Sequence, residues 1–119
     1  MARLDHLGLT VSDLAATQNW YTSVLALELE FDTGSAVGLK DESDFTLILA
    51  HDGGRVSDCN LFFQVEDVEA TYREMCARGI GFRYPPQVND WGYGAGLSDP
   101  DGRLVGLWDE KSMRQYEGR

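Results

Sequence analysis

The sequence predicts an α+β fold: two β-α-β-β-β modules forming a cupped mixed sheet with helices on the outer face. Three observations predict it. The stretch from Cys59 to Ile80, CNLFFQVEDVEATYREMCARGI, begins as an apolar run of strand length and then changes period at Asp67. From there Val68, Tyr72, Met75 and Cys76 fall on one helical stripe, which opens on an N-capping aspartate and stops at Gly79. The amino terminus has the same order. At an offset of 54, Asn60 falls on His6, Val65 on Val11, Asp67 on Asp13, Val68 on Leu14 and Ala70-Thr71 on Ala16-Thr17. The closing strands also correspond, DFTLILAHD from Asp44 lying over GRLVGLWDE from Gly102 at an offset of 58. A repeated unit exposes a hydrophobic face that a neighbour must cover, and two copies are too few for a solenoid. The expectation is one pseudo-symmetric domain over 1–119, with module one at about 3–52, module two at about 59–110 and a polar tail at 111–119.

Each element follows from local pattern. RLDHLGLTV alternates, placing Leu7, Leu9 and Val11 on one face and His6, Gly8 and Thr10 on the other. Asp13 caps a helix to about Val24, striped by Leu14, Tyr21, Val24 and Leu25. Strands are expected over 26–31, 36–40 and 45–50, separated by the turns Asp32-Thr33-Gly34-Ser35 and Asp41 to Asp44. The polar, glycine-rich stretch from His51 to Asp58 links the modules. In the second module the pattern gives a strand at 60–65, a helix at 67–78 and a strand near 82–84 ended by Pro85-Pro86. A strand near 94–98, the turn Asp99-Pro100-Asp101-Gly102 and a last strand over 104–108 complete it. Asp109 and Glu110 come just after Trp108, at a strand end where solvent is expected to cover them, and the tail EKSMRQYEGR is polar and predicts no element.

Composition narrows the functional classes. The chain is 43% hydrophobic, and no apolar stretch approaches the roughly 18 residues of a membrane span. Its start, MARLDHLGL, lacks the apolar region of a secretory signal, so a cytoplasmic setting is expected. Cys59 and Cys76 belong to no metal or redox spacing and read as reduced thiols. Twenty acids against ten bases give a net charge of −10, and the absence of a basic cluster argues against nucleic acid.

Period-two alternation then names the lining of the cup. If Leu7, Leu9 and Val11 pack on the helix, His6, Gly8 and Thr10 face inward, as do Asn60, Phe62 and Gln64 by the repeat. Val105 and Leu107 fit the helix side, which turns Leu104, Gly106 and Trp108 inward; Thr46, Ile48 and Ala50 match them in module one. Apolar walls with a few polar groups (His6, Thr10, Thr46, Asn60, Gln64) are the makings of a small-molecule site. Trp91 and Tyr93 are expected at its mouth as stacking surfaces, beside Trp108 and Phe62.

The double pattern resembles the vicinal oxygen chelate superfamily of glyoxalase I, bleomycin-resistance proteins and extradiol dioxygenases. The resemblance rests on LDHLGLTVSDLAATQNWYTSVLALEL, LFFQVEDVEATYREMCARGI and WGYGAGLSDPDGRLVGLWD, above all on the Trp20-Tyr21 helix and the Asp99-to-Gly102 turn. It implies a homodimer and, in the enzymes, a divalent metal held by one residue from each of four inward strands. Those positions fall on His6, Ile48, Asn60 and Gly106. Ile48 and Gly106 offer no donor and Asn60 only a weak amide oxygen, while zinc or iron sites want three or four strong donors.

His6 is the one inward group that titrates near neutral pH, which suits a general base. Alternation turns Asp5 to the opposite face, leaving the histidine without a carboxylate partner. Lys40 and Arg83 are the basic residues nearest the cup, where either would hold a ligand carboxylate, though solvated strand positions explain them as well. The glycines of Gly92-Tyr93-Gly94-Ala95-Gly96 alternate on a strand with no following helix, so they are read as close backbone approach and not a phosphate loop. The expected function is a metal-free protein resembling the bleomycin-resistance branch, with no cofactor, binding a small, partly aromatic ligand. The alternative is a glyoxalase- or dioxygenase-like lyase, isomerase or dioxygenase that uses an atypical divalent metal site or His6 as acid and base.

Overall fold

In a computed structural model, which describes residues 1–118, the chain divides into two compact units, Met1 to Asp58 and Cys59 onward. Each has the order the sequence predicts. Unit one contains β1 (His6–Val11), α1 (Leu14–Val24), β2 (Glu28–Asp32), β3 (Ala36–Lys40) and β4 (Thr46–His51). Unit two contains β5 (Leu61–Gln64), α2 (Val68–Ala77), β6 (Tyr84–Asn89), β7 (Gly92–Ser98), β8 (Leu104–Trp108) and a further helix, α3 (Glu110–Glu117). The sheets have matching orders, β1-β4-β3-β2 and β5-β8-β7-β6. In both, the first strand pairs parallel with the last and the other pairings are antiparallel.

Alternation decides which face is dry. In unit one Leu9, Val11, Val37, Leu39, Leu47 and Leu49 are buried on the side carrying α1, which contributes Tyr21. In unit two Ala95, Leu97, Val105 and Leu107 are buried with Val68 and Met75 of α2. The helices start at aspartates, as read: Asp13 Oδ1 accepts the Ala16 N–H at 3.0 Å, and Asp67 Oδ1 accepts that of Ala70 at 3.0 Å. The α+β class and its paired modules are therefore as the sequence predicts. No helix among the described residues is long and apolar enough to cross a membrane, and both cysteines are free thiols.

Four expectations need correction. The strand expected from Ala26 begins at Glu28, because Ala26 takes a left-handed backbone (φ 59°) that closes α1, with the Leu27 N–H returning to the Tyr21 carbonyl. Pro85-Pro86 does not break the third strand of module two but lies inside β6. β6 is an edge strand, where a missing N–H leaves no ladder partner unsatisfied, and its register shifts between Tyr84 and Gln87 at that point. The tail commits to α3; Arg119 lies outside the described residues. Asp109, expected to be solvated, is 3% exposed. Its carboxylate accepts the Val68 N–H of α2 and the Ser112 N–H of α3, both at 2.6 Å, so one residue caps two helices. Burial raises its pKa, but these donors outweigh it and hold the carboxyl below the ordinary 3.8.

The Asp99-to-Gly102 turn is fixed by charge as well as by glycine. Arg103 and Asp99 are both buried and paired at 2.9 Å, while Arg83 donates to Ser98 Oγ and to the Gly102 carbonyl at 2.9 Å each. Arg83 thus braces a turn.

Candidate functional site

The faces turned away from α1 and α2 carry the residues expected to line a site. On sheet one, register fixes two rows. His6, Thr46 and Lys40 lie side by side across β1, β4 and β3. One step along, Gly8, Ile48 and Gly38 do the same, with Phe31 of β2 opposite Gly38. The first row is polar and the second apolar. Thr10 lies a further step along β1, where its N–H donates to Ser57 Oγ at 2.8 Å.

Two acids that alternation missed complete the polar row. Asp5 precedes β1, so strand parity does not govern it, and its Oδ1 lies 2.5 Å from His6 Nδ1. The sequence expectation that His6 has no carboxylate partner is overturned. An ionised carboxylate only accepts, so Nδ1 carries the proton and Nε2 is the acceptor of the neutral ring. The His6 bond in turn holds the Asp5 carboxyl below 3.8, with the charge of Arg3 helping. Glu30 was hidden by the register shift between Leu29 and Phe31, which breaks alternation in β2. Its Oε1 accepts the hydroxyl of Thr46, a residue only 3% exposed. Lys40 pairs with Asp44 at 2.7 Å; that bond, with the charges of Glu30 and Glu28, raises its pKa.

Sheet two carries a different surface. Phe62 and Trp91 meet edge to face, their ring centroids 5.1 Å apart, and Trp91 Nε1 donates to the Tyr84 hydroxyl at 2.8 Å. Glycines let these rings lie on the backbone. A Cβ on Gly106 would come within 2.6 Å of the Phe62 ring, one on Gly96 within 2.5 Å of Tyr84, and one on Gly94 would meet both Trp91 and the Leu107 carbonyl. Close approach is what the alternating glycines were read to provide. Phe62 remains 46% exposed, so this aromatic floor is open on its outer side. Tyr84 is hidden in the sequence because Pro85-Pro86 reads as an end to the strand, whereas β6 runs through it.

The other expected residues scatter. Asn60 lies just outside β5 and is exposed; Gln64 pairs in register with Trp108 at the far end of the same strands. Tyr93 is not at a mouth. It shares the parity of Ala95 and Leu97, and its hydroxyl donates to Glu69 Oε1 of α2 at 2.8 Å, on the helix side. A broad hollow of ≈ 510 Å³ lies between Gln64, Val65 and Glu66 and the α3 residues Glu110, Lys111, Arg114 and Gln115. It is polar and wide open, and Glu110 and Arg114 neutralise each other within it, so it lacks the apolar walls that hold a small molecule.

The family model for the glyoxalase/bleomycin resistance protein/dioxygenase superfamily matches residues 3–107. The chain belongs to that superfamily. α3 lies beyond the matched residues. Solved structures agree on the fold. TnmS3, an antibiotic binding protein from Streptomyces sp. CB03234, superposes with a TM-score of 0.76 at 22% identity, covering 92% of this chain and 96% of that one. Lactoylglutathione lyase from Agrobacterium tumefaciens gives 0.72 at 21% identity, covering 93% and 96%. An integron cassette protein from V. Cholerae gives 0.75 at 24%, covering 92% and 95%. No curated protein matches the sequence. A binder and an enzyme resemble this superfamily member about equally, so the fold does not choose between them.

The residues present do not fit the divalent ion of the superfamily's enzymes. His6 is the one strong donor at the four inherited positions; Ile48 has none, and the space over Gly106 is filled by the Phe62 and Trp91 rings. Among the described residues, no group of three His, Cys, Asp or Glu side chains gathers to hold a metal.

Proposed function

We propose that this superfamily member is a metal-free small-molecule-binding protein of the bleomycin-resistance type, sequestering a small, partly aromatic ligand. The observation that carries this reading is the aromatic floor of sheet two. Phe62, Tyr84 and Trp91 are locked by an edge-to-face contact, a hydrogen bond and three underlying glycines, yet Phe62 keeps its outer surface in solvent. Rings fixed before binding lose little entropy on meeting a ligand. Likeness to TnmS3, an antibiotic binding protein, supports the same reading. Phe62, Trp91 and Gly106 belong to this surface; His6, Thr10, Thr46 and Ile48 belong to the face of sheet one. Asn60, Gln64 and Trp108 are kept as flanking contacts. The reading includes a cytoplasmic homodimer, which sedimentation should reveal at about twice the chain mass.

A thermal-shift panel of aromatic compounds tests it. A ligand present at 100 times its dissociation constant adds about 2.7 kcal/mol of stability. Trp91→Ala should weaken any hit by about tenfold, or about 1.4 kcal/mol. A panel without hits, with Trp91 fluorescence unmoved, defeats the proposal.

The Asp5–His6 pair favours a second reading, in which His6 Nε2 takes a proton from a bound substrate and Asp5 steadies the imidazolium. The two readings part at His6→Ala. Ligand binding would change modestly under the first; turnover would vanish under the second.

A further inference from the structure

Glycine inside a strand weakens it, so each such glycine wants a reason. The chain supplies one for nearly all of its own. Gly34, Gly53, Gly54, Gly79 and Gly102 have a positive φ in turns or helix ends. Gly38, Gly94, Gly96 and Gly106 lie on strands and are roofed by Phe31, Trp91, Tyr84 and Phe62 in turn. Gly92 combines a positive φ with Met113 against it. Gly8 differs from every other strand glycine; Gly81 is as open and has no positive φ, but it lies in a loop where no ladder is weakened. Gly8 lies in the middle of β1 with no left-handed backbone, and a Cβ placed on it would meet nothing within 4 Å. Neither a turn nor packing within the chain accounts for it.

The internal repeat indicates what does. Gly8 corresponds to Phe62, and their register partners are Ile48 and Gly106. On sheet two the large residue is on the first strand and the glycine on the last, and the Phe62 ring covers the pair. On sheet one the sizes are exchanged, and no ring among the described residues comes within 4 Å of a Cβ placed on Gly8. We infer that Gly8 is a specificity-determining position whose open surface receives a flat aromatic ring of the ligand, taking over β1 the place that Phe62 takes over β5. This rests on the binding reading above and adds both a position and a chemical class.

The class follows from the neighbouring row. One step along the sheet are His6 of β1, whose Nε2 accepts when the ring is neutral, and Thr46 of β4, whose hydroxyl is already committed to the Glu30 carboxylate. Acceptors outnumber donors along this edge, where the charge of Lys40 is balanced by Asp44. A ring seated on Gly8 therefore meets groups suited to a hydroxyl or amine donor, as in a phenol or an arylamine. An anionic substituent would face Glu30 and a molecule of net charge −10.

The test uses the full chain with 2-naphthol and, as a donor-free anion, naphthalene-2-sulfonate, followed by probe fluorescence. The wild type should prefer 2-naphthol by tenfold or more. Gly8→Val should reduce 2-naphthol binding at least tenfold while its melting temperature stays level or rises, since β-branched residues favour strands and nothing stands in the way. Gly8→Ala, the gentler variant, should reduce binding by a smaller factor. Unchanged naphthol affinity in a folded Gly8→Val protein overturns the inference and leaves the binding reading intact, whereas a wild type that binds no aromatic probe overturns both. A Gly8→Val chain that loses stability together with binding would mean the position packs against protein. One that changes sedimentation without changing naphthol affinity would assign Gly8 to contact with a second copy. Either result also overturns it.

Discussion

Asp109 shows how much one side chain can carry when its two oxygens face two helices. The carboxylate receives backbone N–H groups from the first turns of both α2 and α3, and the positive ends of two helix dipoles favour its charge. Replacing an N-cap aspartate by alanine costs about 0.5–2 kcal/mol for a single helix, so Asp109→Ala should fall at or above the top of that range, read from urea unfolding. The folded carboxyl titrates below the ordinary 3.8, so the unfolded chain binds its proton first as pH falls. The stabilisation is thus complete above the unfolded value and disappears as pH drops through the folded one. Unfolding midpoints measured from pH 6 down to pH 2 should decline more steeply for the wild type than for Asp109→Asn. Parallel curves would show that the charge is immaterial. Reading the sequence placed this residue in solvent because it follows Trp108 at a strand end, and the pairing with Val68, forty-one positions away, leaves no trace in local pattern.

At the level of elements, alternation was enough to place β3 and β8 and to turn His6, Thr46, Ile48, Phe62 and Gly106 toward the open faces. It failed wherever the strand period was interrupted. The register shifts in β2 and β6 concealed Glu30 and Tyr84, and Asp5 lies outside the strand whose parity was applied to it. α3 was missed because its sequence is polar, although Asp109 with Glu110 in the first turn is a legible helix start. The aromatic floor of sheet two permits a sharper statement about packing. A Cβ at Gly96 would meet only the ring of Tyr84, a side chain that can shift at the cost of its hydrogen bond to Trp91; a Cβ at Gly94 would meet the Leu107 carbonyl as well as Trp91. Backbone cannot yield without straining β8, so Gly94→Ala should cost more than Gly96→Ala. Overpacking typically costs about 1–3 kcal/mol, and the two variants should sit toward opposite ends of that range in denaturant unfolding. Gly94→Ala should also shift Trp91 emission. Equal costs would mean that the rings and not the backbone limit the fit.

For the molecule as a whole, the family and the duplicated fold are legible in the sequence, but the polar partners that define each face are not. The repeat is encoded in residues near each other along the chain, whereas those partners depend on bulges and on strand ends. The expectation with the widest consequence is that no resident ion supports the fold. The net charge of −10 draws cations loosely to the surface, so the measurement belongs at about 0.15 M salt, where the Debye length is about 8 Å and diffuse attraction is screened. A site loaded at 1,000 times its dissociation constant would add about 4.1 kcal/mol, and each kcal/mol moves the melting temperature of a domain this size by about 4 °C. Stripping a resident metal would therefore lower the transition by well over 10 °C. Protein purified without chelator should carry zinc, iron and manganese far below one atom per chain, and exhaustive dialysis against EDTA should leave its transition in place. One tightly held ion per chain, with a transition that drops on dialysis and returns on re-addition, would require donors other than those at His6, Ile48, Asn60 and Gly106. It would also restore the enzymatic reading of the superfamily to this chain.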